Sequence, residues 1–189
     1  TRLLDQARPA MHLKSSCWLD DMLRTMTSSV KDLRTKAISL GTKACSSYPS
    51  SSTIATVIND LLENQTEDGK NFGFLMRRRL EKMIREVDEG LHVPPIWSII
   101  ILLVSGNQGG IGKWPSLEEW LKVIQRCFNC GESAIRLQTY YAWNRFVYAV
   151  RPHEASEKLV SVLVKPIVAQ LDKASTDKQS RSSRAAVLS

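Results

Sequence analysis

The 189-residue sequence is poor in the residues on which disulfide scaffolds, metal sites and many enzymes depend. It has four cysteines and three scattered histidines. Four cysteines in a chain of this length do not make a disulfide scaffold, and they fit a reducing, intracellular location better. The sequence has no nucleophile elbow, no His-Glu-x-x-His motif and no ordered catalytic triad. We therefore expect neither an enzyme nor a bound cofactor.

Long apolar runs are also missing. The longest, Ile96 to Val104, is about half the length that a helix needs to cross a bilayer. We therefore expect a buried core segment and no membrane association. The run is rich in isoleucine and valine and could form a buried strand. No second candidate strand exists to pair with it, so a helix is favoured.

What the sequence does have is apolar side chains repeated at steps of three and four residues, which predicts amphipathic helices. The clearest stripe consists of Ile135, Thr139, Ala142, Trp143, Phe146 and Val150. After a short break at Arg151 to His153, a second consists of Leu159, Val162, Leu163, Pro166, Ile167 and Leu171. Two such helices in tandem form a hairpin that cannot bury both its faces alone. The pattern predicts an all-α, HEAT- or armadillo-like α-solenoid of irregular helical hairpins.

Earlier segments follow the same pattern. A first hairpin is predicted with one stripe of Trp18, Met22 and Met26 and another of Val30, Leu33, Ala37, Leu40, Gly41 and Ala44. A third helix carries Ile54, Val57, Ile58, Leu61 and Leu62, and a fourth carries Phe72, Met76, Leu80, Met83 and Val87. Ser116 with Glu119 forms a capping box, which predicts that a helix begins there.

We expect residues 1–189 to be a single fragment of a longer helical-repeat domain, with a mobile glycine-rich loop at 105–113 and a polar linker at 173–183. The chain opens without methionine and ends inside a rising helical pattern. Leu33 to Ala37 resembles Ile135 to Thr139, but this single weak echo does not prove repeats, because the two copies lie too far apart to be adjacent units. In both, an apolar residue and an arginine precede a small residue, as in HEAT and armadillo repeats.

The best functional candidate is a basic helix face. Arg78, Lys82 and Arg85 lie opposite the apolar side of the fourth helix, with Arg77 and Arg79 beside them. Cations in register can neutralise phosphates, so these five residues are candidate DNA-binding residues with little sequence preference. The net charge of +7 agrees with an acidic partner. The commoner role of such a run is a solvated face, balanced here by Glu81, Glu86 and Asp88.

Two other motifs do not support a site. The loop ending in Gly112-Lys113 has Asn107 in place of the first glycine of a phosphate-binding loop and Trp114 in place of the hydroxyl residue, so nucleotide binding is not expected. Cys127 and Cys130 have the spacing of a zinc or redox pair. A tetrahedral site needs a second pair, which the other two cysteines do not supply, so no metal is expected.

Three tyrosines, Tyr140, Tyr141 and Tyr148, lie away from the stripe that contains Trp143. They could form a partner-binding surface. Packing against the next repeat is the more usual role of such residues in a solenoid.

The final third of the chain resembles the N-terminal helical-repeat region of the telomere-associated Rif family, the Rap-interacting factor one proteins. The residues that carry this resemblance are Ile135-Arg136, Ala142-Trp143, Phe146-Val147, Lys158-Leu159, Leu163 and Lys165-Pro166-Ile167. Members show an Ala-Trp followed by an apolar pair, and then a Lys-Leu-x-x-Leu-x-x-Pro-apolar helix. Earlier segments fit in order, so the resemblance spans most of the chain.

The resemblance implies a nuclear scaffold at telomeres and replication origins. Family members bring protein phosphatase one to chromatin, delay origin firing, restrain telomere elongation and influence double-strand break repair. The resemblance thus implies a non-catalytic chromatin scaffold whose partners are duplex DNA and telomeric and replication proteins. The family's phosphatase-docking motifs do not occur in this segment, so phosphatase recruitment is not expected of it. The alternative is a transport or adaptor solenoid that binds a protein or peptide on its concave side.

Overall fold

The structure, a computed structural model, describes residues 2–65, 69–150 and 155–171. Its helices are α1 Arg2–Gln6, α2 Arg8–Leu13, α3 Ser15–Met26, α4 Lys31–Ser47, α5 Ser52–Glu63, α6 Phe72–Met83, α7 Val87–Gly90, α8 Val93–Val104, α9 Leu117–Phe128, α10 Ser133–Val150 and α11 Glu157–Leu171. In these ranges the β-type pairing is a single bridge between Gln65 and Asn71. The predicted all-α solenoid class is confirmed.

Helix α8 lies at the centre of the molecule and contacts α4, α5, α9 and α10. All of its residues except Pro95 and Leu102 are buried. A helix enclosed by neighbours needs apolar residues all round, which is why this run shows no polar face. The segment Val87–Val104 is long and apolar enough to cross a membrane, but 61% of it is buried inside the protein. This segment comprises α7 and α8, of which α8 is a core helix, so the strand alternative is excluded.

An aromatic cluster joins α8 to the C-terminal helices. The Trp97 ring stacks on Trp143 at 6.3 Å and meets Phe146 edge-on at 5.5 Å. Its indole Nε1 donates to the Trp120 carbonyl at 2.7 Å, so α9 is held by the same side chain. Trp143 Nε1 donates in turn to the Leu163 carbonyl of α11 at 3.1 Å. The last two predicted helices are thus in contact, and the residues that connect them lie outside the described ranges.

The prediction for the first hairpin was partly wrong. Helices α3 and α4 pack together, but Val30 and Leu33 are 53% and 50% exposed. The buried side of α4 begins at Arg34 and continues through Ala37, Gly41 and Ala44. Leu33 is one residue, about 100° of helix rotation, away from that side. Arg34 takes the inner position because it has polar partners there.

Those partners are a carbonyl and a carboxylate. Arg34 is 2% exposed and donates from one terminal nitrogen to the Ser28 carbonyl at 2.6 Å, while the same nitrogen lies 3.5 Å from Glu89 Oε1. The second cation on this carboxylate is Arg79 of α6, at 2.9 Å. Arg79 also donates from Nε to the Thr27 carbonyl at 3.1 Å. This Arg34–Glu89–Arg79 network joins the α3–α4 turn to α6 and α7.

The network also explains why the fourth predicted helix stops early. The apolar pattern continued to Val87, but α6 ends at Met83 and Val87 is 61% exposed. The chain turns after α6, and α7 brings the Glu89 carboxylate into contact with Arg79. Gly90, the last residue of α7, lies close to α10, since a Cβ there would lie 2.5 Å from Ile135 Cδ1. A tertiary contact thus overrides the local periodicity.

The echo between the two arginine segments corresponds to a repeated contact. Arg34 and Arg136 are each the fourth residue of a helix, and each donates to a carbonyl six residues earlier. For Arg136 the acceptor is the Cys130 carbonyl at 2.7 Å, with the Gly131 carbonyl also at 2.7 Å. Both arginines therefore bind the turn that precedes their helix.

The capping-box prediction at Ser116 was right about where the helix begins and wrong about how the helix is capped. Helix α9 begins at Leu117, but the Ser116 side chain makes no capping hydrogen bond. Ser116 has helical dihedral angles, φ −83° and ψ −2°, instead of the extended conformation that an N-cap residue adopts.

The glycine-rich loop is anchored at both ends. At its start Gly106 packs against the α4–α5 turn, where a Cβ would lie 2.5 Å from the Ser51 carbonyl oxygen. The Asn59 amide donates to Asn107 Oδ1 at 2.7 Å. At its end Ile111 and Trp114 are buried. The two ends of the loop are thus packed, while Gln108 and Gly109 between them are exposed. The predicted linker at 173–183 lies outside the described residues.

Candidate nucleic-acid interface

The five predicted DNA-binding cations are carried by α6 and the turn after it. Asn71 caps α6 by accepting from the Phe74 amide at 2.7 Å, and the side of α6 that contains Met76 and Leu80 is buried. Arg78 and Lys82 are exposed on the outer side. Arg85 is exposed too, but it follows the end of the helix instead of continuing its basic face.

Arg79 is engaged inside the protein. Its guanidinium is shared between the Thr27 carbonyl and Glu89, as the network above requires. Its Nε and one terminal nitrogen are thus engaged in contacts that join the α3–α4 turn, α6 and α7, while 27% of its side chain is exposed. Its geometry is that of a structural residue.

Arg77 is half-buried between α6 and α9. Its guanidinium lies over the Trp120 ring, 5.7 Å from the ring centroid. Burial lowers the pKa of Arg77 from its usual value, although Glu119 and Glu81 favour the charged form. A cation held against an aromatic ring adds positive potential to this surface without extending into solvent.

Arg78 shares a carboxylate with a cation that the sequence pattern did not reveal. Glu81 Oε2 accepts a hydrogen bond from Arg78 at 3.3 Å and forms an ion pair with Arg126 of α9 at 3.0 Å. Arg78 and Arg126 remain mostly exposed, whereas Glu81 is 16% exposed. Only the packing of α6 on α9 brings Arg126 to this face, because 45 residues of sequence separate it from Glu81.

Lys82 and Arg85 have no ion pair among the described residues. Arg85 does donate its backbone amide to the Lys82 carbonyl at 3.1 Å, so the two stay close. We use the name α6–α9 basic surface for Arg78, Lys82, Arg85 and Arg126. It has free cations and paired cations side by side.

The glycine-rich loop does not have the geometry of a nucleotide site. A 3₁₀ turn, Ile111–Lys113, follows the glycines, and Trp114 is buried. Helix α9 begins only at Leu117, so its N-terminus does not follow Lys113 directly as the phosphate-binding motif requires.

The Cys127 thiol of the cysteine pair is buried. Burial, followed by the neighbouring Cys130, raises the pKa of this thiol to about 12. The reactive thiolate form of Cys127 is therefore disfavoured. Among the described residues no group of three or more histidine, cysteine, aspartate or glutamate side chains could hold a metal ion.

Comparison with known proteins gives the chain a family. A family model described as Rap1-interacting factor 1 N terminal matches residues 1–189. The telomere length regulator protein rif1 of Schizosaccharomyces pombe is 26% identical over 172 residues, which cover 88% of this chain and 12% of that protein. No solved structure shows significant similarity. The matched family model spans the whole chain, and the chain therefore belongs to the Rap1-interacting factor 1 N-terminal family.

Proposed function

We propose that this chain is a non-catalytic scaffold region that acts at telomeres, in the nucleus, and contacts duplex DNA through the α6–α9 basic surface. The observation that carries the proposal is a relative named as a telomere length regulator. The chain spans about an eighth of that relative. Replication timing, DNA repair, and partners such as telomeric and replication proteins or protein phosphatase one are therefore proposed for the longer protein of which such a region is part.

The chemistry of the α6–α9 basic surface supports contact with phosphates. Lys82 and Arg85 are free to bind a phosphate directly. Arg78 and Arg126 can each keep one contact to Glu81 and still present a guanidinium nitrogen, because a guanidinium has five donors. Nonspecific DNA binding arises when such cations replace the counterions condensed on the backbone.

A titration of fluorescent duplex DNA tests the proposal. The test variant reverses three charges, Arg78→Glu, Lys82→Glu and Arg85→Glu. The matched control, Lys31→Glu, Lys36→Glu and Lys158→Glu, changes the net charge equally at exposed positions elsewhere. At low salt we expect the test variant to bind roughly tenfold or more weakly than the control, with a shallower dependence of affinity on salt.

Two results would contradict the proposal. If wild-type chain does not bind the duplex at low salt, this region has no DNA contact. If both triple variants lose affinity equally, net charge alone is responsible and the α6–α9 basic surface is not the site. Glu81→Gln refines the test, because it releases Arg78 and Arg126 and is expected to tighten binding.

The second candidate function is a transport or adaptor solenoid. It is favoured by one observation, which is that Tyr141 and Tyr148 on α10 are exposed instead of packed against a repeat. Salt separates the two functions, since DNA affinity should fall steeply with salt while peptide docking should respond weakly.

A further inference from the structure

An aromatic stripe on α10 projects away from the core. Tyr141 is 45% exposed and Tyr148 is 86% exposed, and Arg145 between them is exposed too. Steps of four and three residues place the three side chains on one side of the helix. The two tyrosines are separated by about 10 Å along the axis, from the rise of 1.5 Å per residue. We call Tyr141, Arg145 and Tyr148 the α10 stripe.

The neighbouring tyrosine shows what packing looks like on the same helix. Tyr140 is buried, its ring meets Phe128 at 5.1 Å, and Ile167 of α11 packs against it. Tyr148 makes no ring contact among the described residues and exposes almost its whole side chain. Stacking of α11 on α10 therefore leaves the α10 stripe uncovered.

The helices that carry and adjoin the α10 stripe contain few acidic residues. Helices α8 and α10 contain no aspartate or glutamate, and the single acidic residue of α4 is Asp32 in its first turn. Cys45 lies thirteen residues after Asp32 on α4, close enough to Arg145 for the arginine's charge to lower the pKa of the Cys45 thiol. Burial has the larger and opposite effect on this pKa, which it raises. Arg145 has no ion pair among the described residues, so its charge is uncompensated there.

Tyrosine and arginine are the residues most enriched where protein interfaces gain their energy. Tyrosine rings pack against aliphatic or proline side chains, and the guanidinium of an arginine pairs with a carboxylate in two parallel hydrogen bonds. A nucleic-acid strand fits less well, because one arginine cannot neutralise the several phosphates that such a strand brings.

We propose that the α10 stripe binds a short acidic segment of a partner protein, with Arg145 pairing a carboxylate and the two tyrosine rings holding apolar side chains on either side of it. This surface shares no residue with the α6–α9 basic surface, so either proposal can fail without the other.

The test is a selection of random 12-residue peptides displayed on phage against wild-type chain, followed by anisotropy titration of the enriched peptides labelled with fluorescein. We expect the enriched peptides to contain at least two carboxylates. Tyr148→Ala and Arg145→Glu should each weaken binding by roughly tenfold, as for residues at the centre of an interface. Tyr148 is so exposed that its replacement should leave the helical circular dichroism and melting temperature unchanged.

The matched controls are Phe74→Ala, an exposed aromatic on α6, and Lys122→Glu, an exposed cation on α9. Both should bind the peptides like wild type. The proposal is overturned if no peptide is enriched, if the enriched peptides lack carboxylates, or if the variants and controls lose affinity equally. Binding of labelled dT12 that depends on Tyr148 would overturn it as well, because the ligand would then be a nucleic acid.

Discussion

The turns before α4 and α10 contain the same local contact, from an arginine to a backbone carbonyl, in different surroundings. In each, the fourth residue of the helix is an arginine that donates to the carbonyl six residues earlier. Arg34 is almost fully buried and shares Glu89 with Arg79. Arg136 is half-exposed, donates to two carbonyls and has no carboxylate partner among the described residues.

The difference indicates that the same local contact can contribute unequally to stability at two places in the fold. At α10 water can replace the arginine, because the Gly131 residue that accepts from it is exposed. At α4 water has little access, and Arg34 Nε has no hydrogen-bond partner in the part of the chain that the structure describes. The second cation on Glu89 makes the site a network that joins three segments, so removing any one member affects the others.

The largest effect is expected for Glu89→Gln. This change leaves Arg34 and Arg79 facing each other without an anion, and we expect a loss of about 3 kcal/mol in the free energy of unfolding. Urea denaturation followed by circular dichroism measures it. The neighbouring exposed residue supplies the control, since Glu86→Gln should change stability by less than about 0.5 kcal/mol. Equal stability of the two variants would show that the network contributes nothing.

Arg34→Met should have the next largest effect. It removes the hydrogen bond to the Ser28 carbonyl and the attraction to Glu89, but it also removes the unpartnered Nε. We therefore expect a net loss of about 2 kcal/mol in the same denaturation experiment. A double-mutant cycle with Glu89→Gln should show coupling between the two changes. Strict additivity would mean that Arg34 acts through Ser28 alone.

Arg136→Met tests the more exposed of the two arginine-to-carbonyl contacts. Both carbonyl contacts are lost, but water can replace them, so the expected loss is below about 1 kcal/mol. If Arg136→Met destabilised the chain as much as Arg34→Met, burial and the carboxylate would not be the source of the difference between the turns.

The smallest effect is a pH dependence of stability that arises from His92, which lies close to the charges of Arg34 and Lys31 on α4. Burial, then the charges of Arg34 and Lys31, lower the pKa of His92 below its usual value. Folding therefore favours the neutral imidazole, and this contribution is lost as the pH falls below about 6.5, the value of an unfolded histidine. The melting temperature of wild type should fall more between pH 7.5 and 5.5 than that of His92→Gln. An equal fall in melting temperature for the two proteins would argue against a lowered pKa of His92.

Much of the fold followed from the sequence, because helical periodicity is a local property. The stripe through Ile135, Trp143 and Phe146 is buried as predicted, and the arginine echo corresponded to a real contact. The predictions failed where a partner distant in sequence decided the outcome. Leu33 is exposed because Arg34 is needed inside, and the fourth helix ends early because Glu89 must reach Arg79.

The candidate interface was less predictable than the fold. Arg78 and Lys82 are exposed where the helix pattern placed them, whereas Arg79 faces inward and Arg126 joins from another helix. A helix pattern cannot distinguish a cation that points to solvent from one that has a buried carbonyl to bind, since the acceptor belongs to a different segment.

By itself the sequence determined the class of structure and the family, because apolar residues at steps of three and four commit a segment to a helix with one buried side. Tertiary structure decided which charges serve the fold and which remain for a partner. The physical reason is that a charge enters the interior only when opposite charges or carbonyls meet it there, and for Arg34 and Arg79 the shared carboxylate of Glu89 comes from a segment distant in sequence.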